Sequence, residues 1–260
     1  MNDDQDPSSN RDDEAARKFA GQLDVSPALH QQDFILTFLL ENAAFSSPAL
    51  AYRYYFYNGR ESATSLRNII AGEGLDPDQE FSLLEFACGY GCVSRHMANI
   101  FPQVNLACCD IHDEAIEFLG NELGCRSILS SHSPETLEID EQFEVVFALS
   151  FFSHMPRTTW LRWLRALLAR VKPGGILVFT TQGLESARVF LGNPAIPDDG
   201  FWFRADSEQK DLDTAEYGQT VVSETFVRFH IEQLPGAELS AIRPKFWWKH
   251  QDTWIVRRTE

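Results

Sequence analysis

The feature that most constrains this chain is the run Phe81-Ser-Leu-Leu-Glu-Phe-Ala-Cys88, a short apolar strand pattern that passes directly into Gly89-Tyr-Gly91. A helical pattern, Cys92 to Ile100, follows at once. Strand, glycine turn and helix in that order predict a β-loop-α unit, in which glycines let backbone approach a ligand without a Cβ in the way. The same alternation continues downstream. Strands are expected at Phe81 to Ala87, Val104 to Asp110, Ser127 to Ser131, Phe143 to Leu149 and Ile176 to Thr181, with helices at Asp113 to Leu123 and Thr158 to Val171. Such a series predicts an α/β doubly wound, Rossmann-like sheet. Lys172-Pro-Gly-Gly175 is expected to end the last of these helices, and a final helix (Ser223 to Gln233) precedes two strands, Glu238 to Arg243 and Thr253 to Arg258.

Residues 81–260 thus read as one domain, interrupted at 183–217 by a Gly/Pro/Asp-rich excursion too long for a simple connection. Residues 19–80 read as a helical preface, with an amphipathic helix from Phe34 to Phe45, an aromatic loop from Tyr52 to Arg60 and a helix from Ser62 to Ala71. Residues 1–18 are polar, lack the apolar stretch of a signal peptide, and read as a disordered acidic tail.

Charge narrows the partners. The chain holds 22 Lys and Arg against 38 Asp and Glu, a formal net charge of −16, which disfavours a nucleic acid partner because phosphate backbones are held mainly by cationic side chains. Nor does any run reach the roughly 18 to 20 apolar residues of a membrane span. The five cysteines show no zinc-binding spacing, so no metal is expected, and they read as reduced thiols of a cytoplasmic protein. Self-association stays open.

Two acidic residues define the ligand. The second strand ends in Asp110, where a carboxylate can take both hydroxyls of a ribose. Glu85, still on the first strand, would repel a pyrophosphate but suits an ammonium group, and the third glycine of a dinucleotide fingerprint is replaced by Ser94. An NAD(P)-dependent oxidoreductase and a non-catalytic adenosyl-binding protein remain the alternatives.

Leu84-Glu-Phe-Ala-Cys-Gly-Tyr-Gly91 resembles motif I of the class I S-adenosylmethionine methyltransferases, with Ala87 where many members carry glycine. Phe143 to Pro156 and Val171 to Phe179 are similar to the family's fourth-strand segment and fifth-strand entry. The resemblance implies a seven-stranded, mostly parallel sheet with an antiparallel C-terminal strand, and S-adenosylmethionine as cofactor. It also implies cofactor contacts from Glu85, Phe86, Ala87, Cys88, Gly89, Gly91, Asp110 and Ile111, from Leu149 and Ser150 after the fourth strand, and from Ser131 and His132 after the third. Arg53 and Tyr57 of the preface are expected to close over the cofactor.

Direct methyl transfer needs alignment above all, and a base only where the acceptor loses a proton. The catalytic candidates are His154, just past the fourth strand, as the base, with Tyr217 at the end of the excursion and His250 in the link between the last two strands as substrate contacts. The segment after the fourth strand, Ala148 to Ser153, lacks the Pro-Pro-aromatic signature of enzymes that methylate base amino groups. Between Asp198 and Glu216 lie seven acidic and two basic residues. The expected acceptor is accordingly a small molecule or glycan-like compound, neutral or cationic, methylated on oxygen or nitrogen.

Overall fold

The structure, a computed structural model, describes residues 7–207, 209 and 211–260, with side chains from residue 14 onward. Helices α1 (Pro7–Leu23), α2 (Phe34–Glu41) and α3 (Pro48–Gly72) precede the sheet. The chain then runs β1 (Phe81–Phe86), α4 (Ser94–Ile100), β2 (Val104–Asp110), α5 (Asp113–Leu123), β3 (Arg126–Leu129), β4 (Phe143–Ala148), α6 (Arg157–Ala169) and β5 (Val171–Gln182). It closes with α7 (Leu184–Phe190), β6 (Phe201–Arg204), β7 (Gln219–Val222), α8 (Glu224–Glu232), β8 (Ala237–Trp247) and β9 (Gln251–Arg258). Seven strands form one sheet in the order β3-β2-β1-β4-β5-β9-β8, and β6 pairs with β7 as a separate ribbon. β1, β4 and β5 run parallel, while β9 is antiparallel to both β5 and β8. The sheet expected from the sequence is the sheet observed.

Two compact units divide the chain: residues up to Glu80 with Cys88–Ser127, and Phe81–Ala87 with Ile128–Glu260. In the first, α1, α2 and α3 bury Ala16, Ala20, Leu23, Leu36, Leu39, Tyr52, Tyr55 and Phe56 against one another. The expected tail is therefore corrected over 7–18, which is helical, because Ala16, Ala20 and Leu23 recur at helical spacing and gain a partner face on α3; residues 1–6 of that reading lie outside the described residues. The second unit centres on aromatic packing, with Phe152 against Phe179 (ring centroids 4.8 Å apart) and against Trp160 (5.0 Å).

The aromatic run Tyr52 to Arg60 is also a correction: it lies in the middle of α3 rather than in a loop. Asn58-Gly59 is a strong turn signal, yet Gly59 serves close packing. A Cβ there would stand 2.0 Å from the carbonyl oxygen of Cys92. Pro48, whose missing N–H is harmless in a first turn, starts the helix. Tyr55, Phe56, Ala63, Leu66, Ile69 and Ile70 then keep a fully buried face along its length. Lys172-Pro-Gly-Gly175 lies inside β5, where Gly174 adopts φ +84° and Gly175 packs against the carbonyl of Glu144. The excursion at 183–217 contains α7 and β6, and β7 follows it.

Gly59→Ala is expected to cost about 1–3 kcal/mol through overpacking of α3 against Cys92, read as a lowered urea midpoint at unchanged denaturant slope.

Candidate functional site

Between β1 and α4 the backbone turns through three left-handed residues at alternate positions, Ala87 (φ +57°), Gly89 (φ +56°) and Gly91 (φ +77°). Glycine occupies this region freely, whereas an L side chain costs roughly 1–2 kcal/mol there. The alanine at 87 therefore carries strain that glycine would remove. At Gly91 the left-handed φ is what favours glycine, and a Cβ there would also have to displace the end of the Leu123 side chain, whose Cδ1 would lie 2.5 Å away. Gly89 differs: nothing lies within 4 Å of the place its Cβ would occupy. The loop thus presents bare backbone to open space at Gly89 alone of the two.

The loop is tied to the end of β2. Gly89 N–H donates to Asp110 Oδ2 at 2.7 Å, and Cys88 N–H to the carbonyl of Cys109 at 3.1 Å. The other oxygen of Asp110 accepts from His112 N–H (3.2 Å) and faces His112 Nδ1 at 2.7 Å. Each carboxylate oxygen has two lone pairs, so the buried Asp110 keeps acceptor capacity beyond these bonds. His112, two places past the aspartate, is not singled out by the sequence, and its link to the candidate site is this contact with Asp110. Tyr90, between the glycines, stacks on His30 (4.6 Å, interplanar angle 8°) and its hydroxyl meets Gln32 Oε1 at 3.2 Å.

Arg53 and Tyr57 sit together on α3, guanidinium over ring at 5.7 Å. Tyr57 hydroxyl donates to Gln22 Oε1, and its ring meets Phe19 edge-on, so both contacts are with α1. The face of α3 that meets the glycine loop's helix carries Tyr55 and Gly59 instead.

In the second unit, Glu85 is buried on β1, paired in register with Phe147. Ser150 follows β4 with φ +60°, outside the ordinary range for serine. A ring of hydrogen bonds over-determines it. Its N–H donates to Thr180 Oγ1 (2.8 Å), Thr180 donates to Gln251 Oε1 (2.7 Å), and Gln251 Nε2 donates back to Ser150 Oγ (2.9 Å). Leu149 beside it is partly exposed. Ser131 turns its hydroxyl onto the carbonyl of Ser133, and exposed His132 lies 3.7 Å from Glu216.

His154 and Tyr217 are brought together, their rings stacked at 4.3 Å with an interplanar angle of 7°. His154 Nδ1 is 2.9 Å from the carbonyl oxygen of Gly218, an acceptor only, so Nδ1 carries the proton and Nε2 its lone pair. Burial lowers the His154 pKa to about 4, against the favourable bond to Gly218, so the ring is neutral near pH 7. His250 has other partners, Ser186 Oγ at 3.0 Å and the rings of Phe190 and Trp248, and burial lowers its pKa as well. Among the described residues no cluster of His, Cys, Asp or Glu is arranged to hold a metal ion, and no helix is long and apolar enough to cross a membrane. None of the five cysteines is in a disulfide.

This sheet order, with one reversed strand beside β5, is the class I methyltransferase fold. Residues 84–177 match the family model described as a methyltransferase domain. Among relatives, a malonyl-[acyl-carrier protein] O-methyltransferase of Ilyobacter polytropus is 26% identical over 151 residues, 56% of this chain and 54% of that protein. A tRNA N(3)-methylcytidine methyltransferase of Schizosaccharomyces pombe is 27% identical over 145 residues, 51% of this chain and 58% of that protein. The chain thus spans about half the length of the curated relatives it matches. Among solved structures, an amino pentose methyltransferase from Micromonospora echinaspora superposes with a TM-score of 0.56 at 18% identity, covering 84% of this chain and 99% of that one. An S-adenosylmethionine-dependent methyltransferase from Clostridium acetobutylicum gives 0.56 at 15% identity, with coverages of 79% and 92%.

Acid is expected to destabilise the fold through its buried histidines. His96 matches His154 in this respect: burial first, then the charges of Arg95 and Arg60, lower its pKa to about 4. Between about 4 and the unfolded value of 6.5 the unfolded chain binds protons that the folded chain refuses, so stability falls as pH drops through that window. Each group contributes at most about 1.4 kcal/mol per pH unit. Urea midpoints from pH 7 to 4 should fall, and His154→Gln should make that fall shallower.

Proposed function

We propose that this protein transfers a methyl group from S-adenosylmethionine to a small-molecule acceptor. The observation that carries the reading is the Gly89–Asp110 bond, which sets a carboxylate beside bare, left-handed backbone open at the Cβ position of Gly89. That combination suits a ligand with a ribose diol: Asp110 would take the hydroxyls, the backbone at Gly89 would pass close to the ligand, and Ile111 would lie against the adenine. Glu85 would hold the ammonium of the amino-acid portion, with Phe86, Ala87, Cys88, Leu149, Ser150, Ser131 and His132 as the further cofactor contacts that the resemblance implies.

When bound, the cofactor supplies an activated methyl on sulfur and its own leaving group. The chain's contribution is alignment and the handling of one proton. His154 is the proposed proton acceptor, because Gly218 fixes its tautomer and leaves Nε2 open to an acceptor hydroxyl or amine. Tyr217 and His250 are proposed as substrate contacts. The acceptor is proposed to be neutral or cationic, as the acidic stretch from Asp198 to Glu216 and a net charge of −16 disfavour a polyanion. The relatives' names divide, one naming a malonyl-[acyl-carrier protein] and one a tRNA, so it is the charge of the chain that supports a non-nucleic acceptor.

Calorimetric titration separates the readings. S-adenosylmethionine and S-adenosylhomocysteine should bind while NADH does not, and NADH binding alone would overturn the assignment. Gly89→Val places a β-branched residue at φ +56° and fills the open approach, so cofactor binding should be lost. Asp110→Ala should weaken it by about 1–3 kcal/mol, the scale of charge-assisted hydrogen bonds. With an acceptor in hand, His154→Ala should lower turnover about 10²-fold or more while cofactor affinity stays at the wild-type value.

A further inference from the structure

Arg95 on α4 is buried, and all five of its N–H donors are engaged. Nε donates to the carbonyl of Gly91 at 2.9 Å and Nη2 to that of Tyr90 at 3.3 Å, so two bonds hold the glycine loop itself. Nη1 donates to the carbonyls of Ser26 (3.0 Å) and Ala28 (2.9 Å), in the irregular segment between α1 and α2. The fifth bond goes from Nη2 to Tyr55 hydroxyl at 3.3 Å. Tyr55 in turn donates to Asp33 at 2.5 Å, and Asp33 caps α2 through the N–H of Leu36. The segment also lies on Tyr90 directly, through the stacked ring of His30 and the amide of Gln32. One planar cation therefore spans the loop and the segment, a task that needs the fork of donors only arginine has.

We propose that Arg95 is a positioning residue that couples the order of residues 26–32 to the backbone shape of Tyr90 and Gly91, so that ligand binding at the loop and ordering of the segment strengthen each other. The proposal rests on the reading of the glycine loop as the cofactor's cradle. Reciprocity is then a thermodynamic necessity: whatever the segment's order adds to ligand affinity, the ligand returns as order in the segment.

Hydrogen exchange of the full chain with and without S-adenosylhomocysteine tests this. In the wild type the ligand should slow exchange at residues 26–32 as well as at 88–91. In Arg95→Lys, ligand affinity should fall at least tenfold and the protection at 26–32 should disappear. Tyr55→Phe removes one acceptor of the five and should give an intermediate result; if Arg95→Lys does not fold, this variant and the wild-type exchange decide. Protection confined to 88–91 in the wild type overturns the coupling and leaves the cofactor reading standing, as does wild-type affinity in a folded Arg95→Lys. A wild-type protein that binds no S-adenosylhomocysteine overturns the cofactor reading, and the coupling with it.

Discussion

The left-handed backbone at residues 87, 89 and 91 is the constraint on which the candidate site depends. Three positive φ angles at alternate positions fold the chain back on itself between β1 and α4. The Gly89 N–H is thereby aimed at Asp110, and the Tyr90 and Gly91 carbonyls at Arg95. A loop of this shape is not stable by itself, because Ala87 opposes it and glycine gains nothing from it entropically. It persists because neighbours on both sides hold its polar groups. Asp110 takes the donor, Arg95 takes the acceptors, and the ends of the Leu119 and Leu123 side chains lie against Gly91.

The order of strands and helices was legible because each element of the sheet carries its own apolar period. The β2 and α5 boundaries read from the sequence coincide with those observed, and β1, β3 and β4 differ by a residue or two at their ends. What failed were places where tertiary packing overrode local punctuation. Asn58-Gly59 has turn chemistry but sits mid-helix, since the backbone of Cys92 approaches too closely for any side chain. The KPGG run looks like a helix stop, but α6 has already ended at Ala169, and β5 begins at Val171 and carries the glycines as a local irregularity beside β4.

The site was legible to a different depth. Gly89, Gly91 and Asp110 announce themselves because a left-handed turn after a strand and a carboxylate at the next strand's end call for particular residue types. Arg95 does not, since its partners are mostly backbone carbonyls that carry no signature in a sequence. Nor could the stacking of His154 on Tyr217 be read, for the residues are far apart in the chain and meet only because Gly218 and Thr220 bond to the backbone of His154 and Ser153. Arg53 and Tyr57 show the limit from the other side. Aromatic and cationic residues near a cofactor motif are attractive candidates, but helical periodicity turns this pair toward α1 while Tyr55, two residues from each, faces Arg95.

The state of His154 constrains any chemistry proposed for it. A ring whose pKa burial has lowered to about 4 is far too weak a base to ionise a hydroxyl before methyl transfer begins. It is, however, always unprotonated near neutral pH, with its tautomer fixed by Gly218, and so always presents a lone pair at Nε2. Such a group is suited to receive a proton only as the acceptor atom gains positive character, when the methyl is already arriving and the departing proton has become strongly acidic. Methyl transfer and proton loss would then be coupled, with alignment supplying most of the rate and His154 a smaller part. On that account the rate should be flat with pH from neutrality down to the range where His154 takes up its proton, and any earlier loss of activity on acidification would trace to the acceptor's own ionisation or to the acid instability of the fold.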